Sequence, residues 1–150
     1  MPRLSRESPV GRLTIFEEDS KLTALDWGGK SSGQATSLLL EAKRQLTAYF
    51  AGRRKMFELP LAPAGSPFEL RVWQLMSDIP YGETRSYGEL ARDLGGVPRA
   101  VGQACDRNPL PIIIPCHRVL GAGGAMGGYS GRGGAETKRK LLILEGALLV

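Results

Sequence analysis

Cysteine, histidine and aromatic residues are scarce in this sequence. It has two cysteines, Cys105 and Cys116, and a single histidine, His117, in 150 residues. Two cysteines cannot staple a secreted disulfide scaffold, so a reducing interior, the cytoplasm, is expected. Two thiols and one imidazole supply at most three Cys/His ligands, one fewer than a closed structural zinc site takes. No metal is therefore expected, and no cofactor motif is present. Long apolar runs are also missing. Stretches such as Ile112-Ile113-Ile114 fall far short of a membrane span. The opening Met1-Pro2-Arg3-Leu4-Ser5-Arg6 lacks the apolar core of a secretory signal. Charge of one sign is not concentrated either. The net +5 comes from 10 Lys/Arg and 7 Asp/Glu in residues 1–64 and from 10 and 8 in residues 65–150. Such a balance is compatible with nucleic acid, but any basic face must arise from placement rather than from totals.

What is present reads as two small lobes. Leu13–Phe16 and Leu22–Trp27 predict two strands around a polar turn at residues 17–21, and Gly28-Gly29 ends the second. Leu38, Leu39, Ala42, Leu46, Tyr49 and Phe50 recur at helical spacing across 34–51, and Gly52 stops that helix. Residues 56–59 are a short strand candidate, and residues 60–65 read as a linker. Ser66-Pro67-Phe68-Glu69 is a capping box with proline at the first helical position. Phe68, Val72, Leu75, Met76 and Ile79 mark the apolar face of the helix that follows. Ser86-Tyr87-Gly88-Glu89 is a second capping box, opening a helix to about Leu94. Pro98 opens another, to about Arg107. Two short helices around a glycine turn suit a helix-turn-helix, although an ordinary helical hairpin has the same pattern.

Pro115-Cys116-His117-Arg118-Val119 carries the chemistry. A thiol is a nucleophile only as thiolate, and needs a base or a positive field to ionise at neutral pH. Neighbouring side chains of a strand point to opposite faces, so Cys116 and His117 can cooperate only if the chain turns there. Pro115 could impose that turn. A structural cysteine beside a satisfied histidine is the alternative that the dipeptide leaves open.

The surrounding motifs narrow the choice. Asn108 to Val119 closely resembles the active-site segment of the O6-alkylguanine-DNA alkyltransferases (methylated-DNA–protein-cysteine methyltransferases). Val72-Trp73, Ile79 to Thr84 and Ser86 to Ala91 are similar to the helix pair before that site. Arg99-Ala100-Val101-Gly102 resembles the DNA-reading helix, Gly128-Tyr129-Ser130-Gly131 the active-site loop, and Lys138 to Gly146 the closing helix. The likeness covers about residues 66–147, and an ordered series of motifs is far more specific than any one of them. Residues 1–64 match only in general layout.

The resemblance implies an alkyl acceptor at Cys116, with His117 taking its proton through a water and Glu145 orienting the imidazole. Asn108 would pin the turn, and Tyr87 would crowd the flipped nucleotide's phosphate and donate to the base. Tyr129, Ser130, Gly131, Pro111 and Val119 would border the substrate, with the Ser130 backbone N–H on O6. Arg99 would fill the vacated base stack, beside Ala100, Gly102, Ser86 and Tyr87 at the DNA. The implied partner is double-stranded DNA containing O6-alkylguanine, with O4-alkylthymine as a second candidate lesion. No membrane, no cofactor and no obligate protein partner are implied, and the chain would act as a monomer, once per molecule. Three departures stand out: only Gly96-Val97-Pro98 between Gly95 and Arg99, a longer stretch at residues 132–137, and Cys105 near the pocket.

The expected fold class is α/β (α+β). Residues 1–64 form a lobe with a small antiparallel sheet and a helix, and residues 65–150 a mainly helical, winged-helix-like lobe. A Cys-His hydrolase would need an oxyanion hole and turnover, and has no use for the helix-turn-helix. A non-catalytic damage binder would lack the acceptor cysteine. A helix-turn-helix regulator would leave Pro-Cys-His-Arg incidental.

Overall fold

The computed structural model describes residues 2–129 and 131–149 and divides the chain into two units, Met1–Ala64 and Gly65–Val150. In the first, strands β1 (Arg3–Arg6), β2 (Leu13–Glu18) and β3 (Lys21–Trp27) form an antiparallel sheet in the order β1-β2-β3. The β2–β3 hairpin turns through Asp19 and Ser20, both with positive φ, at 52° and 62°. Two consecutive left-handed residues are what a two-residue hairpin of matching twist requires. Helix α1 (Ser37–Phe50) starts where the Thr36 hydroxyl accepts the Leu39 N–H at 3.1 Å. Its Leu39, Ala42, Leu46 and Tyr49 are buried, as are Leu13 and Ile15 of β2 and Leu22 and Leu25 of β3.

Two expectations for this unit need correction. The edge strand β1 escaped the reading, because its Arg-Leu-Ser-Arg offers charge where β-branched residues would signal a strand. Residues 56–59 are not a strand. The Glu58 backbone bonds the buried Gln45 side chain instead, N–H to Oε1 at 2.9 Å and carbonyl from Nε2 at 3.2 Å. Beyond this segment the chain pairs with the sheet at Leu61, opposite Leu22.

The second unit is built on α2 (Pro67–Ser77), α3 (Tyr87–Leu94), α4 (Pro98–Asp106) and α5 (Gly134–Leu144). Both capping boxes form, Ser66 with Glu69 and Ser86 with Glu89. Helix α3 ends at Gly95 in the left-handed conformation, and Pro98 takes the first position of α4 after a three-residue turn. Helices α2, α3 and α4 pack on one another, and Trp73 Nε1–H donates to the Ala104 carbonyl at 2.8 Å. A short parallel pair joins β4 (Arg85–Ser86) to β5 (Val119–Leu120). Within the stretch at 132–137, residues 134–137 form the first turn of α5.

Candidate active site

Every residue from Pro111 to Leu120 is buried. This segment leaves α4 through a turn organised by Asn108. Its Nδ2–H donates to the Ile114 carbonyl at 2.8 Å, and its Oδ1 accepts the Leu110 N–H at 2.9 Å. The Ile114 N–H then bonds the Leu110 carbonyl at 2.8 Å, closing a loop in which Ile112 has φ 75°. A β-branched residue in the left-handed region is strained, and persists only where its surroundings over-determine it. The two Asn108 bonds and the burial of Ile112 to Ile114 supply that constraint.

Pro115 then starts a 3-10 turn over Cys116–Arg118. With three residues per turn, neighbouring side chains stand about 120° apart instead of on opposite faces. The extended geometry that would separate Cys116 from His117 is thereby avoided. Cys116 is buried, which pushes its thiol up to about 11, while the Asn108 side chain and the Lys138 ammonium pull the other way. Cys105 is driven further, to about 12, chiefly by burial, and its Sγ lies 3.4 Å from the Met76 sulfur.

His117 is fully buried. Its Nε2 lies 2.8 Å from Glu145 Oε2, and its Nδ1 is buried with no hydrogen-bond partner among the described residues. Burial lowers the basicity of the ring, and Glu145 opposes that shift. Glu145 is the C-cap of α5, where the helix dipole disfavours a carboxylate. His117 and Arg118 together compensate it. Arg118 donates Nε–H to Oε1 at 2.8 Å and Nη2–H to Oε2 at 2.9 Å.

Arg118 and Lys138 were missed as site residues. A signal for Lys138 was present: Lys138, Leu141, Leu142 and Glu145 occupy i, i+3, i+4 and i+7, the stripe that buries one helix face. Lys138 is fully buried, donates to the Gly128 carbonyl at 3.2 Å and sits 5.7 Å from the Tyr87 ring centre. Burial lowers its basicity. Tyr87 is the first residue of α3, and burial pushes its phenol up to about 12, with charge on Cys105, Asp106 and Cys116 adding to the shift. A side chain at Gly127 would meet the Tyr87 hydroxyl at 3.4 Å, so glycine lets the loop pass there.

The remaining predicted residues fall in several places. Pro111 and Val119 are buried in the segment that carries Cys116, and the Tyr129 hydroxyl is buried. Gly131 lies at the described edge of the loop, its carbonyl accepting the Gly134 N–H at 3.1 Å. Ser130 lies outside the described residues. Arg99, Ala100 and Gly102 belong to α4, with Arg99 exposed and open space around Gly102. The Ser86 hydroxyl caps α3 by accepting the Glu89 N–H at 3.0 Å. Arg132 is exposed.

This arrangement offers a buried thiol, a neutral base with one unengaged nitrogen, and a carboxylate holding the base. It suits attack on an electrophilic carbon brought into the pocket.

Known proteins were compared with the chain as a whole. Residues 67–147 match the family described as 6-O-methylguanine DNA methyltransferase, DNA binding domain, and residues 5–63 match its ribonuclease-like domain. The constitutive methylated-DNA–protein-cysteine methyltransferase of Bacillus subtilis is 46% identical over 92% of this chain and 90% of its own length. The Methanosarcina acetivorans protein of the same name is 43% identical over 94% and 96%. The crystal structure of Mycobacterium tuberculosis O6-methylguanine methyltransferase superposes with a TM-score of 0.87 at 41% identity, over 97% of this chain and 93% of that one. A structure of the M. tuberculosis protein in complex with DNA gives 0.85 at 44% identity, over 97% and 92%. Matched along both of its units, the chain belongs to the 6-O-methylguanine DNA methyltransferase family.

Proposed function

We propose that the protein reverses O6-alkylguanine damage in double-stranded DNA directly, moving the alkyl group to Cys116 in a single turnover, as a monomer in the cytoplasm. One observation carries the reading: Cys116 sits in a buried turn beside a histidine whose Nε2 is engaged by Glu145 and whose Nδ1 has no partner among the described residues. The Cys116 proton passes through a water to Nδ1, and Glu145 stabilises the imidazolium. The thiolate forms an S–C bond as the C–O6 bond breaks. The purine leaves neutral, taking a proton from Tyr87. No regenerating group is implied for the thioether.

An alkyl group on O6 lies inside the base stack, so the nucleotide must leave the duplex. Arg99 fills the gap, with Ala100, Gly102, Ser86 and Tyr87 along the DNA. The exposure of Arg99 and the open face at Gly102 support that placement. Asn108 holds the acceptor turn. Tyr129, Ser130, Gly131, Pro111 and Val119 border the base and the group transferred. With no side chain at Gly131 and an apolar wall at Pro111, benzyl groups are accepted as well as methyl.

The test is the intact mass of the protein after incubation with duplex DNA containing O6-methylguanine. One added methylene per molecule is expected, on the peptide holding Cys116. Multiple turnovers per molecule, or the label on Cys105, would overturn the reading.

A further inference from the structure

Arg118 is a buried cation that the proposed proton path does not use. Besides its two bonds to Glu145, it donates Nη1–H to the Ile79 carbonyl at 2.7 Å. The fork matches the planar geometry in which a guanidinium holds a carboxylate by two parallel bonds. Glu145 Oε2 is shared, since His117 Nε2 lies 2.8 Å away. One carboxylate thus serves two basic groups. Facing His117 alone, it would favour the imidazolium, because an opposite charge in hydrogen-bond contact stabilises the protonated ring. The Arg118 guanidinium supplies the counter-charge instead.

We propose that Arg118 is a positioning residue for alkyl transfer: by taking up the charge of Glu145, it keeps the resting His117 ring neutral, with its proton on Nε2 and Nδ1 empty. The proposal rests on Cys116 as acceptor and His117 as its base. Proton count gives the rest. An ionised carboxylate oxygen only accepts, so the nitrogen facing it carries the hydrogen. A second ring proton would reside on Nδ1, which is buried and has no partner among the described residues. The resting vacancy is therefore the position that the thiol proton needs.

The other groups around the pair leave this role to Arg118. Tyr81 and Tyr129 face Glu145, and burial pushes both phenols up, so they remain neutral. Lys138 adds a positive field at the ring, in the same sense as Arg118, but Arg118 bonds the carboxylate directly through two nitrogens.

His117 is the single histidine of the chain, so nitrogen NMR of labelled protein reads one imidazole. In the wild type, Nε2 is expected as the protonated, pyrrole-type nitrogen and Nδ1 as the pyridine-type one at neutral pH. In Arg118→Gln the ring should take its second proton about one pH unit higher, or more. Arg118→Lys, the safer variant for folding, grips one oxygen rather than two and should show a smaller upward shift. A purely structural ion pair would lower the melting temperature and leave the ring titration where it was. An unchanged titration in whichever variant folds overturns the proposal. So does a wild-type ring that rests with its proton on Nδ1, or doubly protonated at neutral pH. Failure of the wild type to carry methyl on Cys116 in the mass assay would sink the underlying reading while leaving the ring spectrum as expected, so the two failures are distinguishable.

Discussion

The two units fill their interiors with different chemistry. The first packs Leu13, Ile15, Leu22, Leu25, Leu39, Ala42, Leu46 and Tyr49. Its buried polar groups are used locally: Thr14 bonds the Gly28 carbonyl, Glu17 accepts from the helix-capping Thr36, and Gln45 holds the Glu58 backbone. The second unit buries His117, Arg118, Lys138, Glu145 and two thiols. Removing charges from water costs several kcal/mol per ion, and apolar side chains of similar volume often stabilise a fold as well or better. The first interior is explained by folding alone. The second is explained only when chemistry is added.

The sharpest way to break this contrast is Glu145→Gln. It leaves Arg118 without a carboxylate and His117 without the charge that supports its protonation. Denaturant unfolding should show a loss of about 3–5 kcal/mol. In the folded fraction the Cys116 thiol pKa should rise, because the imidazolium is less stabilised. An unaltered pH profile for thiol alkylation would remove Glu145 from the proton path. Leu46→Ala, in the other interior, should cost about 2–5 kcal/mol by the same measurement, through lost burial and a cavity. The surviving folded protein should transfer methyl at the wild-type rate, and a slowed transfer would show that the interiors are not functionally separate.

A smaller effect separates the units by pH. Burial sets the Cys116 thiol at about 11, against an ordinary value near 9. Between these values the unfolded chain has released a proton that the folded chain keeps. Stability is therefore fully present below about pH 9 and is lost as pH rises toward 11. Thermal melts across that window should fall less steeply for Cys116→Ala than for the wild type, and parallel curves would contradict the assignment. The smallest expected change is Ser66→Ala, which removes a cap from α2 and should cost about 1 kcal/mol in the same melts with transfer unaffected.

Much of the second unit was legible in its sequence because its signals are local. Ser66-Pro67-Phe68-Glu69 and Ser86-Tyr87-Gly88-Glu89 state their own helix starts, and Gly95 and Pro98 mark the turn between α3 and α4. Pro115 indicated a turn at Cys116, and the family resemblance pointed to Glu145 as the partner of the imidazole. What escaped depends on distant pairing. Strand β1 is defined by its register against β2, Arg3 opposite Phe16, and not by composition. Residues 56–59 carry strand-like side chains, but Gln45 claims the backbone first. Arg118 looked like one more charged residue of the motif, because its partners at Ile79 and Glu145 lie 39 and 27 positions away.

The high thiol pKa of Cys116 has a consequence for selectivity. A protein that is consumed by one reaction is also destroyed by any stray electrophile that finds its nucleophile. Cys116 is sheltered from such encounters twice, by burial and by holding its proton well above neutral pH. On the proposed path, reactivity is conferred by the substrate's arrival, when a flipped base reaches Cys116 and the thiol proton moves to His117. Latency of this kind works as a fidelity device, since the thiol is armed only in the presence of the lesion that it is meant to remove.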